Sequence, residues 1–339
     1  MRDGDTRARA VDAVAAATGF SGVVRVDRGE TTELCRAYGL AHRGYGIPNT
    51  PDTQLATASG TKGLTAATVA SLIEDGLLEL AATARSVLGK DLPLIADDVT
   101  VEHLLAHRSG IGDYLDEEEG DFGDADYVMP VPVHELATTE QYLAVLEGHP
   151  AKFPAGTRFS YSNSGYVVLA LIAERASGVP FHELVRQRVC EPARMADTAF
   201  LRSDELPGRA ATGYVTVDGA VRTNVFHLPV RGSGDGGIYT TAGDVSSFWS
   251  ALFEGRIVSP TTLAELVRPR SELPDGSRRY GLGFWLDAST DAVMLVGRDA
   301  GVSFWSAHDP GRRLTCTAIS NTAEGAWPIA KLLAEQSAT

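Results

Sequence analysis

Ser59-Gly60-Thr61-Lys62 opens the stretch on which the fold reading turns, because Leu64, Ala67, Val69, Leu72, Ile73 and Leu77 follow at helical spacing. A helix is predicted from Thr65 to Leu80, weakened near its end by Gly76 after Glu74-Asp75. Positions i and i+3 share a helix face, so the Ser59 hydroxyl and the Lys62 amine can approach one another. A serine hydroxyl is a poor nucleophile until a base takes its proton, and a partly desolvated lysine can be that base. The helix start also aims free N–H groups and the positive dipole end at developing oxyanion charge. The bland alternative is an N-capping serine followed by an exposed lysine.

Farther along runs Phe159-Ser160-Tyr161-Ser162-Asn163-Ser164-Gly165. Tyr161 and Asn163, two apart, project to the same side if this segment is extended. A tyrosine hydroxyl wedged beside Lys62 would have its pKa lowered by the ammonium and shuttle protons. Asn163 offers an amide that can orient the lysine and hold a substrate carbonyl. A buried structural tyrosine is the plainer reading of this motif.

Around these motifs the pattern predicts a helix at Ala8–Thr18 and strands at Ser21–Val26 and Thr32–Tyr38, joined by the turn Asp27-Arg28-Gly29-Glu30. The middle is mainly helical: Val101–Ala106, Thr139–Leu146, Gly165–Ala176 and Phe181–Val189. After Asp218 short strands return at Gly281–Leu286, Val293–Val296, Ser303–Ala307 and Leu314–Ile319, and a helix at Trp327–Glu335 closes the chain. Strands at both ends around a helical middle predict an α/β domain assembled from both termini, with a helical domain inserted in it.

The 339 residues carry 30 Lys plus Arg against 44 Asp plus Glu, a formal net charge of −14. Nucleic-acid binding is disfavoured, because phosphate contacts need clustered cations. Cys35, Cys190 and Cys316 are too few and too scattered for a disulfide framework or a zinc site, and read as small buried hydrophobes. No stretch is long and apolar enough for a signal peptide or a membrane span, so a cytoplasmic protein is expected.

The serine–lysine pair followed in order by Tyr161-Ser162-Asn163 resembles the serine β-lactamase-like and penicillin-binding hydrolases, and is most similar to class C β-lactamases, related esterases and D-amino-acid peptidases. Leu104-Leu105-Ala106-His107-Arg108-Ser109-Gly110, Pro154-Ala155-Gly156-Thr157 and Tyr280-Gly281-Leu282-Gly283 match further landmarks, and Gly234-Asp235-Gly236-Gly237 looks like the Gly-rich segment near the substrate. The likeness runs from about Phe20 to Asn321.

The resemblance implies an α/β (α+β) fold, an antiparallel sheet flanked by helices and built from both chain ends (1–57 and 220–339). A mainly helical domain (58–219) is inserted, with the active site between the two. It makes Ser59 the acylated nucleophile, Lys62 its proton partner, Tyr161 a second proton-handling group and Asn163 the residue that positions lysine and substrate. The oxyanion hole would use the Ser59 N–H and one from a strand edge.

At that edge the sequence departs from the usual Lys-Thr-Gly or His-x-Gly and reads Val296-Gly297-Arg298-Asp299-Ala300-Gly301-Val302-Ser303-Phe304. One frame puts Arg298 at the Lys or His position, Ala300 at the glycine and the second oxyanion N–H on Gly301. Another, anchored on Gly301-x-Ser303-Phe304, shifts by one. Arginine keeps a positive charge for a substrate carboxylate but does not deprotonate, and Asp299 could instead pair with it. A lost oxyanion donor costs on the order of 3 kcal/mol, so the frame matters.

His103 and His107, four apart on a helix, have metal-ligand spacing but lack the glutamate a zinc protease would use, so no metal is expected. Trp249, Trp285, Trp305 and Trp327 read as core, with Phe304 or Trp305 a candidate pocket wall. The acidic run Asp113–Asp126, with Glu117-Glu118-Glu119 and several glycines, predicts a mobile loop, or an entrance flap favouring cationic substrates.

The expected function is a serine hydrolase acting through an acyl-enzyme on small esters or (D-)peptide and amide bonds, with no cofactor, nucleic-acid partner or membrane. The alternatives are an acyltransferase, a weak β-lactamase or a catalytically lapsed binding protein. No sequence feature reports the oligomeric state.

Overall fold

The computed structural model describes residues 2–117, 129–273, 276 and 278–337. Helix α1 (Arg2–Thr18) leads into strands β1 (Gly22–Arg28) and β2 (Thr31–Tyr38), an antiparallel hairpin with left-handed Gly29 in its turn. The rest of the sheet comes from the other end of the chain: β3 (Ser271–Glu272), β4 (Arg278–Tyr280), β5 (Trp285–Asp287), β6 (Val293–Asp299), β7 (Val302–Asp309) and β8 (Leu314–Ser320). The order is β2-β1-β8-β7-β6-β5-β4-β3, with every neighbouring pair antiparallel. The two chain ends meet where β1 runs beside β8, from Gly22 opposite Ser320 to Arg28 opposite Leu314. Gly22 permits this approach, since a Cβ there would lie 2.0 Å from the Ile319 carbonyl oxygen.

Each face of the sheet has its own core. On one side, Val11 and Ala15 of α1 and Ile329 and Leu333 of helix α5 (Ala326–Ser337) cover Val24, Val26, Trp305, Cys316 and Ala318. On the other lie helices α2 (Thr61–Glu74), α3 (Asn163–Ser177) and α4 (Ala242–Phe253), whose Leu64, Val69, Leu72, Leu169, Ile172 and Phe248 share one cluster with Leu295, Phe304 and Ile319 of the sheet. Eight consecutive residues of α3, Tyr166 to Ala173, are buried, so this helix is apolar all round because it is enclosed all round. Each such Leu, Val or Ile contributes roughly 1.5–3 kcal/mol on burial.

Several predicted elements shift, each for a local reason. The helix expected over 65–80 runs Thr61–Glu74, because Asp75 caps it and Gly76 turns left-handed. Of the strand expected at Gly281–Leu286 only the last two residues are strand, in β5, and β4 lies wholly before it. Between them Gly283 is left-handed, and a Cβ on it would stand 2.2 Å from Ala66 Cβ, so the chain bends there to admit α2. Helix α4 went unpredicted although Thr241, whose hydroxyl accepts the Asp244 N–H, caps it and Val245, Phe248, Trp249 and Leu252 follow at helical spacing. Cys190 and Cys316 are buried, and burial pushes their thiols up to about 12 and about 11. Among the described residues, no helix is long and apolar enough to cross a membrane.

Candidate active site

Ser59 sits in a single 3₁₀ turn, Ala58–Gly60, at the mouth of α2. Ala58 before it is left-handed, with φ 46°, a conformation that costs a non-glycine residue about 1–3 kcal/mol and marks a turn held by its surroundings. Those surroundings are named side chains. The Thr61 hydroxyl donates to the Ala58 carbonyl at 2.8 Å and accepts the Ile238 N–H at 3.2 Å. Phe304 lies directly under Gly60, where a Cβ would come within 2.4 Å of its ring. Of the two expected pocket walls, Phe304 therefore supports the turn from below, while Trp305 packs on the opposite face of the sheet.

One helical turn on, the Lys62 side chain is wholly buried and its Nζ has three neighbours: Ser59 Oγ at 2.9 Å, Asn163 Oδ1 at 2.8 Å and the Asp235 carbonyl at 2.8 Å. Burial lowers its pKa, and the carboxylates of Asp235, Glu117, Asp113 and Asp299 oppose that shift. Tyr161 stands beside this pair, with Lys62 Nζ 4.9 Å from its ring centre. The expectation that the ammonium lowers the phenol is overturned. Burial pushes Tyr161 well above its ordinary value, Glu117 adds to the rise, and the neighbouring Ser59 side chain only partly offsets it.

Asn163 is the first residue of α3, and its amide donates to the Leu115 carbonyl and to Glu117. The sequence reading overlooked what holds it there. Asp113, placed in the acidic run as loop, is buried and accepts the Asn163 N–H at 2.7 Å, the Ser164 N–H at 3.0 Å and the Ser164 hydroxyl at 3.1 Å. The readable signal was a carboxylate before a helix start, though the two lie far apart in sequence. Residues 118–126 of the acidic run, including Glu118 and Glu119 of the expected flap, lie outside the described residues. Trp285, read as core, stacks parallel to Tyr161. Of the paired histidines, His103 closes a capping box with Thr100, its Nδ1 accepting the Thr100 N–H, while His107 enters the aromatic cluster around Tyr161.

The third motif takes neither expected frame. Gly297 is the residue of β6 that meets the Ser59 turn: a Cβ there would lie 2.1 Å from the Thr57 carbonyl oxygen and 2.8 Å from the Ser59 and Gly60 nitrogens. Arg298, next along the strand, points its side chain to the opposite face, half exposed, and its Nε donates to Glu324 at 2.8 Å. Asp299 returns to the Gly297 face, so the expected Arg298–Asp299 pairing gives way to Arg298–Glu324. Gly301 is a left-handed turn residue against the Gly213-Tyr214 backbone, away from Ser59.

A family model described as Beta-lactamase matches residues 7–336. The chain belongs to the beta-lactamase family. Among curated beta-lactamase relatives, Esterase EstB of Burkholderia gladioli is 32% identical over 302 residues, 80% of this chain and 76% of that protein. The putative penicillin-binding protein PbpX of Bacillus subtilis (strain 168) is 28% identical over 272 residues, 79% of this chain. The match spans 62% of PbpX, less than two thirds of its length. The crystal structure of a penicillin-binding protein from Bacillus halodurans superposes with a TM-score of 0.90 at 32% identity, covering 97% of this chain and 99% of that one.

Within this beta-lactamase fold a cavity opens beside the Ser59 turn, lined by Tyr114, Tyr142, Asn224, Asp235, Tyr239 and Asp299 among others. The described lining residues include carboxylates but neither lysine nor arginine. Tyr114 donates its hydroxyl to Asp235. Burial raises the Asp299 carboxyl to about 7, with Asp235 and Glu117 adding to the rise and the Ala300 N–H and Lys62 opposing it.

Proposed function

We propose that this protein is a serine hydrolase that forms an acyl-enzyme on Ser59, acting on small esters or (D-)amide bonds. The three-way coordination of Lys62 Nζ carries the reading. Asn163 Oδ1 and the Asp235 carbonyl can only accept, so they hold two N–H bonds of the amine in either charge state. The third neighbour, a hydroxyl, can donate or accept. A neutral Lys62 therefore aims its lone pair at the Ser59 proton, and taking that proton moves no heavy atom.

The remaining steps follow from the neighbours. Ser59 Oγ bonds to the substrate carbonyl carbon, whose oxygen gains negative charge. The Tyr161 hydroxyl donates its own proton to the leaving alkoxide or amine and is reprotonated by the proton on Lys62; a tyrosine with a raised pKa stays protonated and relays rather than stores it. Water then repeats the sequence against the acyl-serine, releasing acid and regenerating Ser59.

For the oxyanion, the Ser59 N–H has a partner donor at Arg298. Asp299 and Val302 flank the two-residue turn Ala300-Gly301 and pair across it, so Arg298, one step back, directs its own N–H to the other edge of β6. That edge is open beyond Met294, where pairing with β5 stops. The 32% identity to an esterase supports the ester reading. The cation-free lining of the adjoining cavity favours neutral or amino-bearing substrates over carboxylate-bearing β-lactams.

Ser59→Ala should abolish p-nitrophenyl ester turnover and labelling by a fluorescent phosphonate. Full activity in that variant would sink the mechanism.

A further inference from the structure

His107 does work at this site that its neighbours cannot. It ends the short helix Val101–Leu105 in a left-handed conformation, φ 54°, and is fully buried. Its carbonyl accepts the Ser160 N–H at 2.9 Å and its ring Nδ1 accepts the Ser162 N–H at 3.0 Å. These two bonds stand on either side of Tyr161. The imidazole ring itself lies 4.3 Å from the Tyr161 ring, and Tyr280, Tyr166 and Phe159 enclose it at 4.7, 5.0 and 5.8 Å.

An Nδ1 that accepts leaves the ring proton on Nε2. Nε2 is buried with no hydrogen-bond partner among the described residues. The residue thus carries two local penalties, a left-handed backbone and an orphan nitrogen, and packing explains neither. A phenylalanine would fill the same space without the orphan, and an asparagine would tolerate the backbone better. Only histidine among these supplies both a flat face for Tyr161 and an in-plane acceptor for the N–H that follows it. Strain retained against an easier alternative points to the group it serves.

We infer that His107, as a neutral Nε2–H imidazole, is the positioning residue that holds Tyr161 against Ser59. This rests on the serine-hydrolase reading above. His107 touches no reacting atom; it fixes the backbone on both flanks of Tyr161 and the plane of its ring, so the phenol stays on the proton path.

The test compares His107→Phe, which keeps the face and loses the acceptor, with His107→Asn, whose Oδ1 can replace Nδ1 as acceptor. Active sites are counted by phosphonate labelling of Ser59, so a smaller folded fraction does not register as slower chemistry. H107F should lose at least tenfold in kcat per labelled site with KM within twofold, and H107N, which restores the acceptor without the flat face, should regain at least threefold over H107F. An H107F within twofold of native, or an H107N as slow as H107F, overturns the role. Should H107F fail to fold, His107→Gln, whose carbonyl sits one carbon too far, takes its place with the same thresholds. Nitrogen NMR of the native protein tests the tautomer without any variant, and a proton on Nδ1 also overturns the proposal. Native protein that neither labels nor turns over ester would instead overturn the hydrolase reading itself.

Discussion

Gly297 and Ser59 meet backbone to backbone: a Cβ at 297 would stand 2.8 Å from the Ser59 amide nitrogen. The contact holds the edge of β6 against the Ser59 turn with no side chain between them. Gly297→Ala should force these apart and misplace one oxyanion donor, on the order of 3 kcal/mol of transition-state stabilisation. The expected result is a fall in kcat of about a hundredfold on p-nitrophenyl esters, with KM little changed. Turnover equal to native would remove β6 from the oxyanion site.

Lys62 sets the acid limb of the pH profile. Burial lowers its pKa, so the neutral, competent amine accumulates at lower pH than for a free lysine. Log kcat/KM for a neutral ester should rise with pH and level off below the ordinary lysine value of about 10.4. Lys62→Arg, which stays charged, should lie at least about a thousandfold lower with no rising limb, since general-base catalysis and nucleophile activation are both lost. Phosphonate labelling rates across the same pH range provide an independent measurement.

Asp113 tethers the start of α3 from inside. Asp113→Ala removes the acceptor of the Asn163 and Ser164 N–H groups and should destabilise the fold by about 1–2 kcal/mol. Because Asn163 holds Lys62, kcat should fall more than stability alone explains. Thermal unfolding measured beside kcat per labelled site separates the two effects.

Asp299 makes stability pH-dependent in a defined direction. Its carboxyl is raised to about 7, above its unfolded value, so between the two the folded state binds the extra proton. Its favourable contribution is complete below the unfolded carboxylate range and is lost as pH rises through about 7. Asp299→Asn cannot ionise, so its Tm should gain on native between pH 5 and pH 8. A Tm difference independent of pH would contradict the raised value. The same variant should also narrow any preference for amino-bearing over neutral esters.

Much of this was legible because it is local. Ser59 and Lys62 lie three apart at a helix start, and Tyr161 and Asn163 flank the Ser162 cap of α3, so spacing brings each pair into view. The sheet strands β1, β2, β7 and β8 are equally plain, being short runs of β-branched and apolar residues. What stayed hidden depends on contacts across the chain. Asp113 looks like one more acidic loop residue until α3 is packed onto it. The third motif could not be placed from residue identities, because its working feature is a missing side chain at Gly297 and a peptide N–H, neither of which depends on what Arg298 is. The direction of the Tyr161 shift was misjudged for a related reason: the ammonium beside it is visible in the motif, while the burial that outweighs it comes from Trp285 and Tyr280, far away in sequence.

The pairing of β1 with β8 also orders the protein's birth. Ser21 and Ser320, joined by a hydrogen bond, are 299 positions apart, so this closure comes among the last folding contacts available to a chain emerging from the ribosome. Ser59, Lys62, Tyr161 and Asn163 are all synthesised well before the edge at Gly297 exists, and that edge has no sheet to belong to until β8 docks. A polypeptide that stopped before Gly297 would carry Ser59, Lys62, Tyr161 and Asn163 without the strand edge that faces the Ser59 turn.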